Sequence, residues 1–364
     1  MTESLRLGFF IQPVHPPKRR YADVLREDRD AFELADRLGF REAFAGEHLA
    51  DSAETITSSL TFIASLADRC PNIAFGTGVI PLPNYHPVMA AAQIAMVDHI
   101  VEGRLLLGVG PGVWPDAEAL GDESSDRRAK LSEALDQLVG IWSGEAPYRI
   151  EGNFHRISTE RSLNPEIGVG EIVRPLQRPH PPILVTSMRP DSTGPFNAGL
   201  RGWGGISATY VGAHVVRAHI ETYRSGRLSA GLSGGTSDWR VARSIFVARD
   251  AGTARAYAQE HAGAHGFYFE VMRQKLARFG VTSLMGDEAN APARELEAGR
   301  TLERLVIAGT PDRVADEILG FRERVGPFGT LLYTGHDWAD PELARTSMEL
   351  MATEVWPRVL DGLS

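Results

Sequence analysis

The sequence predicts a (β/α)8 barrel, with insertions before strand five and after strand seven. Three observations carry that reading. Eight short apolar runs alternate with stretches of helical periodicity along 364 residues. The runs Asn72–Val79 and Arg104–Gly110 flank a helical stretch, Pro87–Val101, and strand, crossover helix and strand make two parallel neighbours. No internal repeat, low-complexity tract or linker interrupts the pattern, so residues 1–364 read as a single domain.

Each element has a local reason. Leu5–Phe10 is strand one, and the prolines of IQPVHPP end it. Tyr21–Leu38 places Val24, Phe32, Leu34, Ala35 and Leu38 at helical spacing and stops at Gly39. Glu42–Gly46 is strand two, and Ser58–Asp68 is the next helix. Strands three and four are the two runs above, and a helix follows over about Asp126–Trp142. Strand five is Ile183–Ser187, strand six Gly204–Ser207, with a helix at Val211–Tyr223. Strand seven is Val241–Ala248, followed by a long helical stretch. Strand eight is Thr330–Thr334, and Glu342–Leu360 closes the chain as a helix. Gly144–Pro182, rich in Pro and Gly, reads as an excursion before strand five. Gly280–Arg300, polar and rich in Ala and Glu, reads as a loop or lid.

Bulk properties exclude several classes. A net charge of -9 argues against nucleic acid or an anionic membrane as partner, since both select basic surfaces. No run of about 18 apolar residues predicts a membrane span. MTESLRLGFF has no basic segment ahead of an apolar one, so no signal peptide is expected. The one cysteine, Cys70, fits a reducing cytoplasm and a packing role.

In such barrels chemistry sits at the carboxyl ends of the strands. That selects Gln12, Glu47–His48, Thr77–Val79, Gly110–Trp114, Thr186–Ser187 and His336–Trp338. Strands three and four both end in small residues, Gly76, Thr77 and Gly78 on one, Gly108, Gly110 and Gly112 on the other. Two adjacent glycine-lined ends make a flat floor suited to a planar ligand, and tight turns are the other reading. His48 offers an imidazole that exchanges a proton near neutrality, or a strand-end hydrogen bond and nothing more. Glu47 reads as structural, and His86 as a helix cap. Tyr85, Trp114 and Trp338 either line a substrate space or pack the rim. No metal is expected: Glu47, His48 and Asp51 have no partner at HxH or HExxH spacing.

The stretch Gly76–Gly112 resembles bacterial luciferase and its relatives, the flavin-dependent monooxygenases, and within them the limonene monooxygenase-like group. GEHLAD (Gly46–Asp51), QRPHPPI (Gln177–Ile183), GPFNAGLRG (Gly194–Gly202) and FGTLLYTGHDWAD (Phe328–Asp340) follow in family order. The resemblance spans most of the chain and is weakest over roughly 208–306.

It implies a luciferase-like barrel, with FMN bound as FMNH2. It further implies oxygenation of an apolar, terpenoid- or polyketide-like substrate by O2 through a flavin hydroperoxide. Epoxidation, hydroxylation and Baeyer–Villiger insertion all stay open. His48 becomes the catalytic residue. Thr77, Gly78, Val79 and Gly110 form the flavin floor, with a non-proline cis peptide expected at Gly78–Val79. The polar turn after strand five, with Ser187, Ser192, Thr193 and Gly194, becomes the phosphate site; a capped helix start is its other reading. Luciferase carries an arginine just after strand four where this chain has Pro111, and Arg128 or Arg189 could substitute. Gln12, Tyr85, Trp114 and Trp338 become substrate-binding. Gly108–Gly112 lacks dinucleotide-fingerprint spacing, so a separate flavin reductase would supply FMNH2. A homodimer is expected. A deazaflavin-dependent hydride-transfer enzyme and a non-catalytic flavin-binding protein are the alternatives.

Overall fold

The computed structural model describes residues 5–12, 14–286, 288 and 298–364. Parallel strands alternate with helices in the manner of a (β/α)8 barrel. The eight strands are β1 (Arg6–Ile11), β2 (Glu42–Ala45), β3 (Ala74–Thr77), β4 (Leu105–Gly110), β5 (Ile183–Ser187), β6 (Gly204–Ser207), β7 (Trp239–Val247) and β8 (Thr330–Gly335). All eight lie where the apolar runs predict them, within a few residues at the ends.

The chain divides into two compact units. The first comprises Met1–Ala43, Cys70–Ile73 and Leu184–Ser364. Within it β5, β6, β7, β8 and β1 are consecutive parallel neighbours, with Leu184 opposite Gly204, Trp239 opposite Gly205, Arg240 opposite Thr330 and Arg6 opposite Thr330. Glu42 and Arg240 form a buried bidentate pair here, with Nε–Oε1 and Nη2–Oε2 both 2.9 Å. Helix α1 (Tyr21–Arg37) buries Val24, Ala31, Phe32, Leu34 and Ala35, the face its periodicity predicts.

The second unit comprises Phe44–Arg69 and Ala74–Ile183. Here β3 pairs β4 in parallel, Phe75 opposite Leu105. The chain then makes a cis peptide at Gly78–Val79 and resumes pairing, Ile80 opposite Val109 and Pro81 opposite Gly110. Helix α2 (Ser59–Ala64) is shorter than predicted; Ser58 caps it by accepting from Thr61 N–H. His86 caps α3 (Pro87–Ile100), accepting from Val88 N–H as expected. A short helix the sequence reading did not mark, α4 (Trp114–Ala119), precedes α5 (Arg127–Ser143). The excursion before β5 holds a two-stranded antiparallel hairpin, Arg149–Ile150 with Ile157–Ser158. Glu133 of α5 holds its loop by accepting from the N–H groups of Asn153, Phe154 and His155.

In the first unit α6 (Gly194–Leu200), α7 (Ala213–Ser229), α8 (Ala251–Gln259), α9 (Ala264–Arg278), α10 (Ala298–Leu305), α11 (Pro311–Val325) and α12 (Pro341–Leu350) follow their strands. The stretch after β7 departs from the reading as helix alone. It contains a further strand, Val306–Gly309, which pairs in parallel with Ser244–Val247 of β7. The closing helix is broken by a π-turn, Met351–Val355, before Trp356–Asp361. Of the proposed loop or lid, Thr282–Met285 is a 3-10 turn and 298–300 begin α10, while 287 and 289–297 lie outside the described residues. Among the described residues no helix is long and apolar enough to cross a membrane.

Candidate active site

In the second unit the carboxyl ends of β2, β3 and β4 carry three linked groups. Glu47 is buried, and one carboxylate oxygen accepts from Ser59 N–H at 2.8 Å and Ser59 Oγ–H at 2.7 Å. The other accepts from Tyr85 O–H at 2.5 Å. Burial pushes the Glu47 carboxyl up, against the Ser59 and Tyr85 bonds that favour its ionised form. Burial, together with the Glu47 carboxylate, pushes the Tyr85 phenol up as well. The pair is thus a fixed hydrogen-bonded unit, and Glu47 is structural. Tyr85 spends its hydroxyl on Glu47, so any part it takes in substrate contact falls to its half-buried ring.

His48 lies between two buried carboxylates. Its Nε2 is 2.9 Å from Glu54 Oε2, and its Nδ1 is 3.9 Å from Asp116 Oδ2. Asp116, on α4, is held in turn by the N–H groups of Leu49 and Ala50 at 3.0 and 2.9 Å. A carboxylate 2.9 Å from Nε2 favours the proton on that nitrogen, while Nδ1 is buried and faces Asp116. The imidazole is 19% exposed, so it is ordered yet reachable. Glu54 and Asp116 were not marked from sequence. Both sit in loop or helix-start positions whose neighbours depend on the fold.

The glycines divide by role. A Cβ at Gly76 would stand 2.1 Å from the Phe44 ring, and one at Gly108 2.0 Å from the Thr77 carbonyl oxygen. Those two are packing requirements rather than ligand floor. Thr77 is fully buried and donates its hydroxyl to Gly108 O at 2.6 Å, so its side chain ties β3 to β4. Gly78 and Val79 are half-buried between buried Thr77 and Ile80, which leaves their peptide accessible just past the end of β3. Gly110 ends β4 and is buried, and Trp114 opens α4 half-buried.

The arginine beside Pro111 is Arg127. Its Nε donates to Pro111 O at 2.9 Å, its Nη1 to Asp122 at 3.0 Å, and its Nη2 to Asn84. Arg128, the sequence candidate, is exposed, because Asp126 caps α5 and so sets which residue turns inward. Arg189 pairs with Asp191 at the surface.

In the first unit the turn after β5 brings Ser187, Ser192 and Gly194 together. Ser192 Oγ accepts from Gly194 N–H at 3.3 Å. Ser187 is 3% exposed, and among the described residues its Oγ has no hydrogen-bond partner. A Cβ at Gly194 would lie 3.0 Å from that oxygen. Thr193 is exposed and makes no capping bond. Elsewhere in this unit Gln12 accepts from Tyr268 O–H at 2.5 Å, and its amide lies 3.9 Å from Met272 Sδ. Tyr268 and Met272 on α9 were missed, since aromatic and Met residues at helical spacing read as core. Trp338 is buried with Arg345 over its ring at 4.8 Å, and it lines a small cavity with His265, His336 and Asp337.

Two other histidine clusters are closed. His336 Nε2 meets Ser244 Oγ at 2.7 Å, and burial holds the imidazole far below its ordinary range. His15, Glu27 and Asp337 are close enough together to suggest a metal site. Arg19, however, pairs with both Glu27 and Asp337, and His15 is 3.0 Å from Asp28 and 2.5 Å from Asp337. Burial alone would lower the His15 imidazole; its bonds to those carboxylates outweigh this and raise it to about 9. The carboxylates are already matched by cations, so the cluster is an ion network.

A family model for luciferase-like monooxygenases matches residues 5–326. The chain belongs to the luciferase-like monooxygenase family. This monooxygenase is 31% identical to 4-hydroxyprotoasukamycin monooxygenase of Streptomyces nodosus subsp. asukaensis, over 100% of this chain and 95% of that one. It is 28% identical to limonene 1,2-monooxygenase of Rhodococcus erythropolis, over 96% and 85%. Its fold matches the oxygenating constituent of 3,6-diketocamphane monooxygenase of Pseudomonas putida, a type II Baeyer–Villiger enzyme solved in complex with FMN. That TM-score is 0.87 at 25% identity, over 98% of this chain and 99% of the other. The resemblance read from the sequence and the (β/α)8 barrel both hold.

Proposed function

We propose that this monooxygenase uses FMN, taken up in its reduced form, and O2 to oxygenate an apolar terpenoid- or polyketide-like substrate, as one barrel domain. The observation that carries the cofactor reading is the orphaned Ser187 hydroxyl beside Ser192 Oγ and Gly194. A buried hydroxyl without a partner costs free energy that a phosphate oxygen would recover. Ser187, Ser192 and Gly194 would hold the phosphate, and the Gly78–Val79 peptide and Gly110 would lie against the ring. FMN supplies the oxygen-activating chemistry when bound. The protein's own part is to exclude water and control a proton at the His48 imidazole, which lies 2.9 Å from Glu54 and 3.9 Å from Asp116. The relatives named for 4-hydroxyprotoasukamycin, limonene and 3,6-diketocamphane support the substrate class.

Anaerobic titration tests the cofactor. Reduced FMN is expected to bind at micromolar concentration or tighter, and FAD more weakly. Failure of both reduced and oxidised FMN to bind overturns the reading. A separate reductase is part of the proposal: NADH is consumed only when one is added. A cytoplasmic location fits the single cysteine, Cys70, which is buried.

A homodimer is supported by α3. Its inward face buries Ala90, Ala91, Ile94, Ala95 and Val97, yet Met89, Met96 and Ile100 are 56, 56 and 44% exposed on its outer side. A helix apolar on both faces is ordinarily covered on both. Sedimentation at micromolar concentration should show a dimer, and Met96→Glu should shift it to monomer. A parent protein that sediments only as one 39.7 kDa chain rules the dimer out.

A further inference from the structure

We propose that His219 is a positioning residue for the turn bearing Ser187, Ser192 and Gly194, acting on recognition of the cofactor's phosphate and not on its ring. The inference rests on the phosphate reading of that turn.

His219 stands on α7 and is fully buried. Its Nε2 lies 3.0 Å from the Arg189 carbonyl oxygen. A carbonyl oxygen can only accept, so Nε2 carries the proton. Its Nδ1 lies 3.0 Å from Ser207 Oγ and then accepts from that hydroxyl. Ser207 Oγ itself accepts from Trp239 Nε1–H at 3.0 Å. An indole nitrogen can only donate. The direction of the chain is therefore fixed from both ends: Trp239 to Ser207, Ser207 to His219, His219 to Arg189. Burial lowers the imidazole to about 4, which keeps the ring neutral and the chain intact at physiological pH.

The far end of this chain is the turn itself. The Arg189 carbonyl also accepts Ser192 N–H at 3.1 Å. One oxygen thus both closes the turn and receives the imidazole. Ser192 Oγ in turn accepts Gly194 N–H. The turn's own charged side chains give little anchoring, since the Arg189–Asp191 pair is 49 and 70% exposed. His219 supplies a buried donor from a packed helix in their place, and its removal would free the carbonyl that sets where Ser192 points.

The test compares His219→Asn with His219→Gln. Both are amides, but only glutamine reaches the position of Nε2. Affinities for FMN and for riboflavin, which lacks the phosphate, are measured for the parent and both variants. The parent should prefer FMN. His219→Asn should lose about tenfold of that preference, the scale of one backbone hydrogen bond, with riboflavin affinity unchanged. His219→Gln should keep it. An Asn variant that retains the full preference, or that loses FMN and riboflavin alike, overturns the positioning role. A parent that binds riboflavin as tightly as FMN overturns the phosphate reading of the turn instead.

Discussion

His48→Ala is expected to leave the protein folded and able to bind flavin, while product formation falls by about 10²–10⁴. Hydrogen peroxide should appear in its place. The side chain is 19% exposed, so its loss opens no large core cavity. What disappears is the one imidazole at the end of β2 whose two nitrogens face carboxylates. Glu54 lies 2.9 Å from Nε2 and Asp116 3.9 Å from Nδ1, and neither carboxylate takes the place of the lost ring. Reduced flavin still meets O2, and reducing equivalents that miss the substrate leave as peroxide. The experiment supplies FMNH2, O2 and a cyclic apolar ketone or terpene that the parent turns over, and measures product and peroxide together. Parent-level product with no added peroxide would reduce His48 to a strand-end hydrogen-bonding residue.

The sequence made His48 visible because it stands just past a strand end, and strand ends were visible because glycine and proline stop the apolar runs. The strand Val306–Gly309 escaped for the converse reason. It follows Leu305 of α10 with no turn residue between them, so apolar helix and apolar strand read as one run. Helix α4 escaped because Pro115 reads as a breaker, though it stands in the first turn, where proline is tolerated. The site's second layer was hidden more deeply. Asp116 and Glu54 meet at His48 only through the fold. The choice of Arg127 over Arg128 turns on one residue of helix register, about 100° of rotation, which the Asp126 cap fixes. The chain through His219 was equally hidden, since Trp239, Ser207 and His219 come from two strands and a helix.

Arg240→Leu should carry the largest stability cost, about 3–5 kcal/mol. Arg240 is the second residue of β7 and Glu42 begins β2, so the pair lies at the amino ends of their strands, where barrels invest in stability rather than chemistry. Both side chains are at most 6% exposed. The guanidinium satisfies both carboxylate oxygens, and its Nη1 also donates to Asp238 O at 2.9 Å. Leucine removes all three donors and leaves the Glu42 carboxylate buried without its cation. Its desolvation is then uncompensated, and that term, rather than the worth of the ion pair itself, sets the magnitude. The double variant Glu42→Leu/Arg240→Leu removes the stranded charge as well, so it should recover most of the loss. Urea unfolding of the parent, the single and the double variants decides it, read as midpoint shifts at unchanged slope. If the double variant is as unstable as the single one, the cost comes from lost packing and the Asp238 carbonyl rather than from an unpaired buried carboxylate.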